Sequence, residues 1–277
     1  MQSVVLALLQ GVTEFLPISS SGHLVLGTWL FGWSDQGLDF DAAVHVGTLG
    51  SVLVYFRHEW IALGRGIVTG GAVNFATGGA RTEDSMAARK VLALIVVGTL
   101  PLVIVGLLVR DTLETSFRSP EWVAALLIVT GLGLAAGEYA GRRTRSMSST
   151  GLSHALIIGI AQSFAVLPGI SRSGSTMVAG LFMDMTRETA ARFSFFLAVP
   201  AMLGAGILLV VVEALQDSSA QSSGWGPILV GTGISFITGL AVITLFLRFL
   251  RTGSMRPFIA YCLLAGAAIL VARAAGF

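Results

Sequence analysis

Charge is scarce in this chain of 277 residues: only 12% of them are Asp, Glu, Lys or Arg. A soluble domain carries about twice that share, so a water-soluble globule is not expected. Cysteine is scarcer still. The single Cys262 rules out an internal disulfide and any cysteine-based metal cage. It sits in an apolar run and reads as a small buried hydrophobe. No basic stripe interleaved with aromatic residues is present. The net charge of +2 and a pI near 9.1 are therefore not a nucleic-acid signal. The N-terminus lacks a basic segment, and Gln10 and Glu14 interrupt its apolar run. A cleavable signal peptide is not expected.

Apolar residues make up 54% of the chain, and the mean hydropathy is +0.83. Six runs are long and clean enough to span a bilayer as helices: Phe40–Phe56, Val91–Val109, Trp122–Ala140, Phe193–Val212, Pro227–Leu247 and Phe258–Ala272. The first is short and carries Asp41 and His45, so it is expected to face protein rather than lipid. Two further stretches, Val4–Trp33 and Leu152–Met183, are broken in the middle by Pro, Gly, Ser and charge. Backbone leaves a helix at membrane depth only where protein or a wet cavity satisfies its polar groups. Each stretch is therefore expected to be a re-entrant helical hairpin with a polar tip.

The two halves resemble one another. Gly11-Val-Thr-Glu14 matches Gly159-Ile-Ala-Gln162. Pro17-Ile-Ser-Ser-Ser-Gly22 matches Pro168-Gly-Ile-Ser-Arg-Ser-Gly174 with a small insertion, and Val97-Gly-Thr99 matches Val230-Gly-Thr232. One hairpin plus three spans is an odd number of crossings, so the second half enters from the opposite face. The expectation is an all-α integral membrane protein, a single membrane domain over 1–277. It is built as an inverted-topology repeat, with one half at 1–141 and the other at 142–277. Charge agrees. Thirteen basic residues fall on one face and three (Arg110, Arg118, Arg273) on the other, with Arg172 inside a hairpin. The positive-inside rule makes the basic face cytoplasmic and puts both termini outside. The stretch Gly64–Ser85 reads as a flexible cytoplasmic connection, and Gln216–Trp225 as a polar external loop.

Inverted repeats bring their hairpin tips together near the midplane. The tip residues expected to share a cavity are Gln10, Glu14, Ser19, Ser20, Ser21 and His23 from the first hairpin. Gln162, Ser171, Arg172, Ser173, Ser175 and Thr176 come from the second. The Arg172 fork suits phosphate oxygens, and the Ser/Gly runs begin half-helices whose positive ends face inward. Ser20 or His23 can attack phosphorus. Glu14 can take a proton or hold Mg²⁺ or Ca²⁺. The bland reading makes Glu14 a buried partner of Arg172, the serines helix caps, and His23 a satisfied core histidine. It makes Asp39, Asp41, His45, His58 and His154 structural or interfacial.

With these motifs the chain resembles the undecaprenyl-diphosphate phosphatases, the bacitracin-resistance family. The resemblance rests on Gln10-Gly-Val-Thr-Glu-Phe-Leu-Pro-Ile-Ser-Ser-Ser-Gly-His23 and Pro168-Gly-Ile-Ser-Arg-Ser-Gly-Ser-Thr176. Phe40-Asp-Ala-Ala-Val-His-Val-Gly47 and Phe193-Ser-Phe-Phe-Leu-Ala-Val-Pro200 also carry it. It implies hydrolysis of a polyprenyl diphosphate lipid to the monophosphate, recycling the cell-wall lipid carrier. It further implies a divalent cation and a plasma-membrane site open to the outside. Carried onto this sequence, Glu14, Ser20, His23 and Arg172 are the catalytic set, with Glu14 also the metal ligand. Gln10, Ser19, Ser21, Ser171, Ser173 and Thr176 are binders, and Gln162 joins them by its place at the second tip. Gln10 stands at a position where the family has Glu or Gln. Membrane lipids are expected neighbours and a homodimer is possible. Ser20 is favoured as nucleophile, with His23 and water left open. A polyprenyl-phosphate flippase and a non-catalytic lipid-phosphate binder are the rival functions.

Overall fold

The computed structural model describes residues 1–33, 37–75, 84–116, 119–216 and 225–276. Arg81, Arg118 and most of the Gln216–Trp225 loop lie outside the described residues.

The first broken stretch forms two short helices, α1 (Gln2–Thr13) and α2 (Ser20–Phe31). The long helix α3 (Leu38–Tyr55) follows. Helix α4 (Arg57–Thr69) and a small antiparallel ladder of β1 (Ala72–Asn74) with β2 (Ser85–Ala87) then lead to α5 (Ala88–Ser116) and α6 (Pro120–Ala140). The second broken stretch gives α7 (Leu152–Ser163), a 3₁₀ turn at Phe164–Val166 and α8 (Arg172–Phe182). The chain ends in α9 (Arg187–Gln216), α10 (Trp225–Leu250) and α11 (Arg256–Ala274). All six expected spans are helical, and both broken stretches are helix–turn–helix pairs.

Four helical segments are long and apolar enough to cross a bilayer among the described residues: Ala88–Val109, Pro120–Ala140, Trp225–Leu250 and Arg256–Ala274. Their outer faces expose large aliphatic side chains, such as Leu108 at 78%, Ile237 at 67% and Leu264 at 71%. In water such a surface would be an aggregation liability, and in lipid it is the solvated face.

One expectation needs correcting. Gly64–Ser85 is not a featureless connection. Gly64–Thr69 belongs to α4, which the sequence reading missed. Val73 and Met86 are buried on one side of the ladder. The helix is amphipathic rather than apolar, so a search for spans passes over it.

Close backbone packing holds the short helices. A Cβ on Gly159 of α7 would lie 2.4 Å from the Gly98 carbonyl of α5, and one on Gly11 of α1 would meet Thr238 of α10 at 2.7 Å. Both positions need glycine so that the helices can touch. Below the tips the core is aromatic. Phe15, Phe56, Phe195 and Phe196 are essentially buried, with Phe15 edge-on to Phe195 at 5.3 Å and Phe56 5.2 Å from Phe196. Such pairs add about 0.5–1.5 kcal/mol each beyond their burial.

Candidate active site

Both second half-helices start the same way. Ser19 caps α2, its Oγ accepting from Gly22 N at 3.4 Å, and Ser171 caps α8, its Oγ accepting from Gly174 N at 3.0 Å. The residues that follow, Ser20 and Arg172, thus occupy equivalent first positions of their helices. Ser19 is held at φ 68, a left-handed conformation that a serine adopts only when its surroundings fix it. Its carbonyl accepts from the His23 amide and from His23 Nδ1 at 2.7 Å.

The tips touch. A Cβ on Gly22 would lie 3.2 Å from Gly169 Cα. Ser173 Oγ donates to the Leu16 carbonyl at 2.9 Å, and Ser19 Oγ to the Ile170 carbonyl at 3.4 Å. Gly169 has φ 104, and its carbonyl accepts from Thr130 Oγ1, which ties the second tip to α6.

Glu14 is the point of convergence. Its side chain is 6% exposed. Oε1 accepts from Arg172 Nη2 at 2.5 Å. Oε2 accepts from Ser20 Oγ at 2.5 Å and from Gln10 Nε2 at 2.9 Å. His45 Nε2 stands 3.9 Å from Oε2. His45 Nδ1 faces the Asp41 carbonyl at 2.7 Å, and a carbonyl only accepts, so Nδ1 carries a proton and Nε2 is the nitrogen turned to the site. Arg172 is fixed by a second bond, Nη1 to the Ser194 carbonyl at 3.3 Å. A carboxylate that orders a hydroxyl, with an amide and a guanidinium ordering the carboxylate, has the nucleophile–base–orienter form of covalent catalysis.

The family model for bacitracin resistance protein BacA matches residues 3–268. The chain belongs to the BacA family. Curated relatives match it along almost their full length. It is 42% identical over 268 residues to undecaprenyl-diphosphatase 1 of Pseudoalteromonas translucida, covering 97% of this chain and 96% of the relative. It is 43% identical over 273 residues to the undecaprenyl-diphosphatase of Hahella chejuensis, covering 98% and 97%. The undecaprenyl-diphosphatase of Alcanivorax borkumensis is 41% identical over 273 residues, with 97% of each chain covered.

Within this BacA chain the expected site residues fall into two groups. Gln10, Glu14, Ser20 and Arg172 meet directly. The others surround them as framework. Ser171 and Ser173 share a 3.1 Å hydrogen bond, and Thr176 Oγ1 donates to Ser194 Oγ at 2.7 Å. Ser175 Oγ donates to the Ser171 carbonyl, and Ser21 is half-buried beside the tip. Gln162 Nε2 donates to the Gly98 carbonyl at 3.3 Å. His23 is turned away from Glu14. Its Nε2 accepts from Tyr261 Oη at 2.6 Å, and the two rings stack at 5.6 Å. His45, read from sequence as structural or as a support behind the site, is the histidine beside the carboxylate. Tyr261 was missed altogether, because an isolated tyrosine in an apolar run carries no sequence signal.

Proposed function

We propose that this protein is a membrane phosphatase that hydrolyses undecaprenyl diphosphate to the monophosphate and inorganic phosphate. This would recycle the cell-wall lipid carrier and lower the diphosphate that bacitracin captures. The names of the relatives support the substrate. One observation carries the chemistry: a buried carboxylate, clamped by Arg172, accepts the proton of Ser20 Oγ at 2.5 Å.

The proposed sequence is a double displacement. Ser20 Oγ attacks the terminal phosphorus as its proton passes to Glu14. The bridging P–O bond breaks, and the lipid monophosphate leaves with the electron pair. Glu14 first loses that proton, water then attacks the phosphoserine and gives a proton to Glu14, the Ser20 Oγ–P bond breaks, and Glu14 returns the proton to Ser20 Oγ as inorganic phosphate departs. Arg172 and the α2 and α8 N-termini stabilise the charge spread over the phosphoryl oxygens. His45 Nε2 is assigned to carry the proton away from Glu14. His23 is assigned to hold the strained Ser19 carbonyl, and through it the position of Ser20. Ser19, Ser21, Ser171, Ser173 and Thr176 serve binding by fixing the two tips.

A divalent cation fits this donor set. Gln10 Oε1 is buried with no hydrogen-bond partner, on the amide that donates to Glu14. Among the described residues no three His, Cys, Asp or Glu side chains cluster. Glu14 and Gln10 would therefore hold Mg²⁺ or Ca²⁺ only together with diphosphate oxygens, a common arrangement for Mg²⁺. When bound, the cation would neutralise phosphate charge.

The topology proposed is the inverted repeat, in the plasma membrane, with both termini outside and the site opening outward. Helix pairing supports it. Helix α1 packs on α10 and α7 on α5, the exchange expected if α1 corresponds to α7 and α5 to α10, while α3 packs on α9 and α6 on α11. The buried phenylalanine layer lies under Glu14 on the side of the basic face, through its neighbour Phe15. It favours hydrolysis on one side over passage of a headgroup through the protein. Purified protein in detergent, where no membrane separates two sides, should release phosphate from undecaprenyl diphosphate. A pure flippase or a lipid-phosphate binder would release none, and that result would reject the proposal.

A further inference from the structure

A second charged recess lies far from Glu14, where α6 ends and α9 and α11 begin. It has a volume of about 360 Å³ and its walls include Glu138, Tyr139, Arg143, Arg187, Ser254 and Arg256. From Arg172, α8 rises about 15 Å to Phe182 before the chain turns into α9. The recess therefore opens on the arginine-rich face, not at the hairpin tips.

Three guanidinium groups and one carboxylate line it, and two of the three touch the carboxylate. Glu138 is 3% exposed and takes both prongs of Arg187, Nε to Oε2 at 3.0 Å and Nη2 to Oε1 at 2.5 Å. That pair is closed. Arg143 Nη2 donates to the Glu138 backbone carbonyl and lies 3.5 Å from Glu138 Oε2, while its Nε is buried without a hydrogen-bond partner among the described residues. Arg256 has no ion-pair partner among the described residues. The recess thus keeps about two positive charges beyond its internal pairing.

Its shape is fixed in advance. Arg143 stands at φ 58, unusual for a residue with a side chain. It is held there because Arg142 N donates to Asp184 Oδ1 at 2.8 Å, and the amides of Thr144 and Arg145 donate to the Asp184 carbonyl. Helices α9 and α11 both begin at wall residues, Arg187 and Arg256, and Met255 gives α11 no side-chain cap. The guanidinium forks at these two helix starts then line one space. Tyr139, 72% exposed at the last turn of the apolar helix α6, marks the edge of the lipid belt.

We propose that this recess binds the phosphate of an anionic lipid headgroup, with the acyl chains lying along α6. The Arg143 and Arg256 forks take the phosphate oxygens, and Arg187 is held by Glu138 to complete the cationic wall. The site is separate from the Glu14 centre and does not depend on its chemistry.

The test uses the full-length protein, stripped of lipid in an uncharged detergent. Binding of phosphatidic acid and of phosphatidylcholine is counted by native mass spectrometry. Wild type is expected to bind phosphatidic acid at least about tenfold more tightly than phosphatidylcholine. Arg256→Gln and Arg143→Gln should each weaken phosphatidic acid by about tenfold or more, the scale of one charge-assisted hydrogen bond. Arg142→Gln, on the same face but outside the recess, should change nothing. Arg256 is exposed and has no ion pair among the described residues, so its variant should keep the wild-type circular dichroism spectrum and melt. Unchanged phosphatidic acid binding in both recess variants overturns the proposal. Inorganic phosphate separates the sources. If it competes as well as phosphatidic acid, mole for mole, the site reads soluble phosphate and the lipid assignment fails.

Discussion

Replacing Arg172 separates two roles that the structure joins in one side chain. Nη2 holds Glu14 Oε1 at 2.5 Å and Nη1 holds the Ser194 carbonyl at 3.3 Å, leaving a planar fork at the first position of α8. Arg172→Lys keeps one charge near Glu14, so the buried carboxylate stays paired, and stability should fall by much less than in an alanine variant. Lys cannot bond Glu14, Ser194 and a phosphoryl oxygen in one plane. Losing one preorganised donor in the transition state lowers turnover by about 10²–10³, or roughly 3–4 kcal/mol of barrier. Arg172→Ala is different in kind. It leaves Glu14 buried without its cation, which costs about 3–5 kcal/mol of stability. The assay is phosphate release by the purified variants in detergent, paired with thermal melts followed by circular dichroism. A Lys variant with near-wild-type kcat would reduce Arg172 to a structural ion-pair partner. An Ala variant as stable as wild type would show that the ion pair does not hold the tips together.

Ser20→Ala should abolish turnover. Wild type quenched in acid should retain phosphate on a serine, whereas label on a histidine, which acid would release, would move the nucleophile to an imidazole. His45→Asn should slow the reaction by about 10²-fold, the scale of a lost proton carrier, and exceed the loss in Tyr261→Phe; the reverse order would return the proton relay to His23. Gly159→Val should cost at least about 1–3 kcal/mol of stability, because its side chain meets the Gly98 carbonyl, and a melt equal to wild type would refute close packing of α7 on α5. In a Cys262→Ala background, an impermeant maleimide added to intact cells should label Ser3→Cys and spare Thr69→Cys. The opposite pattern would invert the topology.

Much of this protein is set by local sequence. Six apolar runs became helices because hydropathy over a helical length is a property of consecutive residues. The two tips were legible for the same reason: Pro, Gly and Ser interrupting an apolar run must break the helix, and Ser19 and Ser171 cap the helices that resume. The residue types of the site, a carboxylate, a hydroxyl and a guanidinium at the breaks, could likewise be read directly. That Glu14 pairs with Arg172 was one of several readings left open, and only the structure chose it. Glu14 and Arg172 are 158 residues apart in the chain, and only the packing of α1 on α10 and α7 on α5 brings them to 2.5 Å. Tertiary structure also sorted the histidines. His23 sits in the motif yet turns to Tyr261. His45, in a different helix and a different family segment, arrives beside the carboxylate, because a helix projects each side chain in a direction that only its neighbours turn into a contact. The paired tips themselves follow from the sequence. The choice of which side chains line the space between them belongs to helix packing, since a contact between distant residues depends on every helix placed between them.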